Sequence, residues 1–190
     1  MRLFAALLPP ERVLAELGAV VDELRRLPGA DALRWTGRPG WHFTLAFYGE
    51  VDDDVVPELS ARLARVARES EPFGLAVRGG GQFGDGRALW AGVEGELAGL
   101  RVLAERCEGA AREAGVEMRE HRRYRAHLTL ARGRDAADVR PYLDRLDEFA
   151  GQAWTVDELA LVRSNLPRSG VPGEQPRYEA VARWSLGAGG

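Results

Sequence analysis

Trp41-His42-Phe43-Thr44-Leu45-Ala46 and Ala126-His127-Leu128-Thr129-Leu130-Ala131 are two copies of one short pattern, His-x-Thr-x, each set in an apolar run. Side chains alternate faces along a strand, so His42 and Thr44 point one way while Phe43 and Leu45 point the other. The second copy repeats the arrangement, with His127 and Thr129 opposite Leu128 and Leu130. Two of the chain's three histidines are used in this way. A solvated strand face explains a single His-x-Thr, but a repeat in the same strand setting points to duplication. Strands related by a pseudo-twofold axis would bring two imidazoles and two hydroxyls to one cleft.

The surrounding segments fit this reading. Leu3 to Leu8 reads as a buried strand closed by Pro9-Pro10, and Val13, Leu14, Leu17, Val21 and Leu24 then recur at helical spacing. Leu33 to Trp35 and Phe43 to Tyr48 read as short strands, and Asp52, Asp53 and Asp54 offer an N-cap to a helix carrying Val55, Val56, Leu59, Leu63 and Val66. Phe73 to Val77 and Arg87 to Val93 read as strands around a Gly-rich loop from Gly79 to Gly86, which lacks a phosphate-loop pattern. A helix ending at Gly115 follows. His127 to Ala131 is a further strand and Ala137 to Phe149 a helix. Ala153 to Arg163 and Tyr178 to Leu186 close the chain as strands. No linker or composition shift interrupts these units, so residues 1–190 are expected to form a single domain of duplicated α+β architecture.

Composition narrows the function. The 190 residues are 45% hydrophobic and 29% charged, as in an ordinary globular protein. All 26 basic residues are Arg, which excludes a Lys Schiff base or a phosphate-loop lysine. With 29 acidic residues the net charge is -3, so any polyanion must bind a local patch. The patch on offer is residues 112 to 134, with seven Arg (112, 119, 122, 123, 125, 132 and 134) against three Glu. The third histidine, His121, lies in this stretch without a Thr partner and reads as a surface residue. Cys107, the one cysteine, allows no internal disulfide or multi-Cys metal site and sits among apolar residues, as a core side chain would. No apolar run approaches membrane-spanning length, and the expectation is a cytoplasmic protein.

Histidine titrates near neutrality, so a facing pair suits in-line displacement at phosphorus, one ring acting as base and the other as acid. The hydroxyls would bond the non-bridging oxygens, and an Arg would neutralise charge developing there. The arrangement calls for no metal and no other cofactor. It leaves open which histidine plays which part.

The two motifs, taken with Arg34-Trp35, Phe47-Tyr48-Gly49, Ala88-Leu89-Trp90-Ala91-Gly92-Val93 and the run from Tyr124 to Arg132, resemble the 2H phosphoesterase superfamily. Within it they are most similar to the bacterial and archaeal RNA 2′,3′-cyclic phosphodiesterases, also called 2′-5′ RNA ligases. The resemblance runs from the first strand to Ser164, Gly170, Tyr178 and Trp184-Ser185-Leu186. It implies a bilobal fold in which two antiparallel sheets face a central cleft, with helices on the outer faces. It implies metal-independent hydrolysis of a terminal 2′,3′-cyclic phosphate to a 2′-phosphate, with weak reverse 2′-5′ ligation. His42 is then the proton donor to the leaving 3′ oxygen and His127 the proton acceptor that activates water, while Thr44, Thr129 and Arg132 hold the phosphate. The implied partner is an RNA end or nucleotide carrying the cyclic phosphate, acted on by a monomer. Two alternatives are a phosphodiesterase for small cyclic nucleotides and a non-catalytic RNA-end binder.

Two positions depart from the family. Gly40-Trp41 stands where Asn-Leu is usual, and Ala126 where Pro is usual. Trp41 thereby bears on the rim of the cleft. Trp35, Trp41, Phe47, Tyr48, Phe83 and Trp90 are the aromatic residues from which a stacking platform for a terminal base would be drawn.

Overall fold

The first strand, β1 (Arg2–Leu7), is apolar at every position after Arg2 because both of its faces are covered. Leu3, Ala5 and Leu7 join the main core, whereas Phe4 and Ala6 pack with Ala160 and Val162 in a second, smaller cluster. A strand buried on both faces carries a continuous apolar run in place of alternation. In this computed structural model, which describes residues 1–118, 123–172 and 174–187, β1 is an interior strand of the first of two antiparallel sheets.

That sheet has the order β3-β1-β8-β9, with β3 at Phe43–Glu50, β8 at Glu158–Asn165 and β9 at Arg177–Ser185. The second sheet has the order β2-β6-β5-β4-β7, built from Arg34–Trp35, Leu128–Arg132, Ala88–Gly95, Phe73–Phe83 and Trp154–Val156 respectively. The two His-x-Thr segments thus feed one strand in each sheet, β3 and β6, as the duplication reading expects. The fold is α+β, with helices α1 (Glu11–Leu24), α2 (Val56–Glu69), α3 (Leu97–Glu113) and α4 (Arg140–Asp147). α3 packs against α2 and β3, α4 against β4, and α1 against α4. Leu128 and Leu130 of β6 and Phe43 and Leu45 of β3 are buried in the same cluster as the helix residues Leu17, Leu63, Leu103 and Leu146. Cys107 is fully buried in that cluster, and burial pushes its thiol up to about 12. Tyr48 reaches the same turn of α3, donating its hydroxyl to the Cys107 carbonyl at 3.0 Å.

Four local expectations are corrected. The run Ala153 to Arg163 is two strands, not one: β7 pairs with β4 in the second sheet, Asp157 intervenes, and β8 pairs with β1 and β9 in the first. The apolar run of β8 follows directly on the alternating β7, and hydrophobicity alone does not report which sheet each strand joins. The Asp52 to Asp54 run precedes α2 without capping it. The N-cap is Val55, with no side-chain hydrogen bond, and Pro57 occupies the first turn. The last helix is shorter than Ala137 to Phe149, because the Asp138 carboxylate accepts the Arg140 backbone N–H at 3.1 Å and Pro141 sets the first turn.

The Gly-rich segment is the fourth correction: β4 continues through Gly79 to Phe83 and turns only at Gly84-Asp85-Gly86. Its glycines are there for close approach. Gly81 lies opposite Trp90, and a Cβ on it would meet the indole ring at 2.2 Å. A Cβ on Gly80 would lie 2.7 Å from the Trp90 carbonyl and 2.6 Å from Leu146 of α4. Removing that room forces the sheet and α4 apart. We therefore expect Gly80→Ala to cost about 1–3 kcal/mol of stability, read as a lowered urea midpoint. Gly109→Ala, inside α3 with nothing within 4 Å of the new methyl, should instead raise stability by about 0.5–1 kcal/mol. Equal effects at the two sites would contradict the packing account.

Candidate active site

His42 and His127 each stand one residue before their strands, so each ring is carried at the mouth of a sheet by the residues that anchor β3 and β6 in the core. The side chains on the opposite parity, Phe43 and Leu128, are fully buried and hold the register. On the cleft side, His42 and Thr44 from the first sheet and His127, Thr129 and Arg132 from the second line one cavity of about 330 Å³. All five sequence-derived site residues meet there.

The two rings are oriented alike. His42 Nδ1 lies 2.8 Å from the Gly40 carbonyl and His127 Nδ1 lies 3.0 Å from the Arg125 carbonyl, in both cases two residues upstream. A carbonyl only accepts, so each Nδ1 carries the proton and each Nε2 is left as the reactive nitrogen. His42 Nε2 is 3.1 Å from the Thr44 hydroxyl, which donates to it when the ring is neutral. Burial lowers the His42 pKa below 6.5, against the favourable Gly40 hydrogen bond. The nearby charges of His127 and Arg132 lower it further.

Each histidine also leans on aromatic rings of its own sheet. Phe4 and Tyr178 lie 4.7 Å and 5.2 Å from the His42 ring, and Phe83 and Trp90 lie 5.1 Å and 6.0 Å from the His127 ring. Sequence reading did not single out Phe4, whose apolar run looks like pure core, nor Arg2, which lines the cavity with its guanidinium 4.9 Å above the Phe47 ring. Ser164 and Tyr178, noted above only as part of the closing resemblance, also line the cavity. Tyr124 ties the two halves together: its hydroxyl donates to the Thr44 carbonyl at 2.9 Å, and burial pushes its pKa well up.

Other expectations fall differently. Trp41 is not on the rim: it is buried, with its indole N–H donated to the Thr36 carbonyl at 3.0 Å, while Gly40 lines the cavity. Tyr48 is likewise core, whereas Phe47 is 50% exposed at the cavity and Phe83 38% exposed beside His127. Within the Arg-rich stretch, Arg132 reaches the cavity, Arg123 and Arg125 lie beside His127 in an adjoining groove, and Arg112 pairs with Glu108 on α3. Arg119, His121 and Arg122 lie outside the described residues.

Comparison with known proteins gives the family. The sequence profile of the 2′-5′ RNA ligase superfamily matches residues 9–168. An RNA 2′,3′-cyclic phosphodiesterase from Thermus thermophilus is 34% identical over 198 residues, covering 98% of this chain and 90% of that protein. One from Geobacillus stearothermophilus is 32% identical over 156 residues, covering 80% of this chain. The match spans 47% of that relative, about half its length. Among solved structures, a protein of Thermus thermophilus superposes with a TM-score of 0.76 at 30% identity, covering 98% of both chains. Escherichia coli LigT complexed with 3′-AMP gives 0.75 at 26% identity, covering 97% of this chain and 96% of that one. The chain belongs to the 2′-5′ RNA ligase superfamily.

Proposed function

We propose that this chain is an RNA 2′,3′-cyclic phosphodiesterase, a hydrolase that opens a terminal 2′,3′-cyclic phosphate to a 2′-phosphate by two-histidine acid–base catalysis. The observation that carries the reading is the single cavity shared by His42, Thr44, His127, Thr129 and Arg132, with both Nδ1 atoms committed to backbone carbonyls. His127 Nε2 takes a proton from water as the water oxygen attacks phosphorus. The bond from phosphorus to O3′ breaks in line, and His42 Nε2–H delivers its proton to O3′. The Thr44 and Thr129 hydroxyls and the Arg132 guanidinium hold the non-bridging oxygens and meet the charge that grows on them. The steps use side chains alone.

His42 must be charged to act as the acid, yet burial in the free protein favours its neutral form. An anionic substrate beside the ring reverses this, since a negative charge at close range favours imidazolium. Proton uptake is thus tied to substrate arrival. All five groups come from one chain, which supports residues 1–190 acting as one domain of two pseudo-symmetric lobes and as a monomer. A buried lone thiol supports a cytoplasmic setting. No helix of the described residues is long and apolar enough to cross a membrane.

His42→Ala and His127→Ala should each lower kcat by about 10²–10⁴-fold on a cyclic-phosphate-ended oligonucleotide, with unfolding curves unchanged and with EDTA without effect on the unaltered enzyme. Substantial hydrolysis by either variant would overturn the mechanism. In the free protein, NMR should show His42 titrating below 6.5, and inorganic phosphate should move that titration upward. By the same linkage the alkaline limb of kcat/KM, which reports the free enzyme, should lie at lower pH than that of kcat. Coincident limbs would argue against His42 as the acid.

A further inference from the structure

A groove of about 1130 Å³ runs away from the reacting centre on one side only of the histidine pair: His127 lines it and His42 does not. Its cationic lining comes from three separate elements, with Arg78 on β4, Arg101 on α3, and Arg123 and Arg125 on the segment leading to His127. One carboxylate, Asp147, faces these four guanidiniums, and none of the four is held in an ion pair among the described residues. Several guanidiniums elsewhere on the surface are held by carboxylates, as in Arg62 with Glu58 and Glu113, or Arg145 with Glu23. The groove floor at the His127 end is the exposed face of Phe83, tilted against Trp90 at 5.3 Å. Unpaired guanidiniums over a run of sheet, ending on an aromatic face, are the components of a sequence-tolerant site for single-stranded nucleic acid.

Chemistry says which strand it takes. In an in-line displacement the nucleophile enters on the side of the base, and the leaving oxygen departs on the side of the acid. With His127 as the base, a reading on which this inference rests, whatever lies in the His127 groove presents its hydroxyl to phosphorus. We propose that this groove is the acceptor-strand site for 2′-5′ ligation, binding a second RNA by its phosphates and first base so that its 5′-hydroxyl replaces the hydrolytic water. The 5′-hydroxyl proton goes to His127 Nε2 as the bond from O5′ to phosphorus forms. The bond from phosphorus to O3′ breaks, and O3′ takes the proton of His42. The products are a 2′-5′ phosphodiester and a free 3′-hydroxyl, with no atom left over and no co-reactant needed. An empty groove gives hydrolysis and a filled one gives ligation.

The test uses the full chain, a donor oligoribonucleotide ending in a 2′,3′-cyclic phosphate and an acceptor oligoribonucleotide with a 5′-hydroxyl. In the Arg78→Ala/Arg101→Ala double variant, whose exposed side chains can go without loss of the core, ligation at subsaturating acceptor should fall at least about tenfold through a raised KM for the acceptor. Hydrolysis of a 2′,3′-cyclic mononucleotide should stay within about twofold of the unaltered enzyme. Cleavage of a 2′-5′-linked dinucleotide, the reverse reaction, should also keep its kcat, since a single phosphate makes little use of the distant arginines. Unchanged ligation would overturn the proposal. So would a selective loss of hydrolysis on the oligonucleotide donor relative to the mononucleotide, which would assign the groove to the donor strand. Absence of all hydrolysis by the unaltered enzyme would instead remove the underlying phosphodiesterase reading, whereas hydrolysis without any ligation at saturating acceptor would remove this inference alone.

Discussion

Two hydrogen bonds of the same form, from a histidine Nδ1 to the carbonyl two residues behind it, are the interactions on which this site depends. Each needs the chain to bend into a strand just after the histidine, and each strand needs its alternate side chains locked in the core. Phe43 and Leu128 supply that lock from the residue next to each ring. The tautomer of both rings is therefore set by backbone geometry, which the core stabilises, and not by a carboxylate partner that would have to be buried beside them. Among the described residues the cavity lining holds no carboxylate, which suits the phosphate of the proposed reaction.

On the proposed function, an acidic protein meets an anionic polymer by separating global from local charge. The net charge of -3 limits indiscriminate attraction to RNA, while guanidiniums collect where phosphates have to be placed. Arg132 and Arg2 line the cavity, and four more arginines follow one groove away from it. Some of the remaining arginines are held by neighbouring carboxylates, as Arg65 is by Glu69 and Arg62 by Glu58 on α2.

Much of this was legible in the sequence. The paired His-x-Thr segments point to the two strands and to His42, Thr44, His127 and Thr129, because a period-2 pattern states directly which side chains share a face, whereas Arg132 falls on the other parity and follows only from the family resemblance. Trp41 shows the limit of reading by position: next to His42 in sequence, it faces the opposite way and belongs to the core. Phe4 fails in the other direction. It sits in an apolar run indistinguishable from core, yet its ring lies against His42, since β1 is covered on both faces. The glycine content of the Gly79 to Phe83 segment suggests a loop. Only the ring of Trp90, across the sheet, reveals that these glycines make room within a strand.

The change of sheet at Asp157 has a mechanical meaning. β7 ends at Val156 and β8 begins at Glu158, so a single residue joins strands hydrogen-bonded into opposite halves of the molecule. One residue spans at most about 3.6 Å of extended chain, and the Asp157 carbonyl is further tied by the Leu186 N–H at 2.8 Å. The two sheets are in effect riveted at this point. A jaw-like opening of the halves would have to tear register on one side of the rivet. The covalent chain itself therefore sets the spacing of the two sheets at this point.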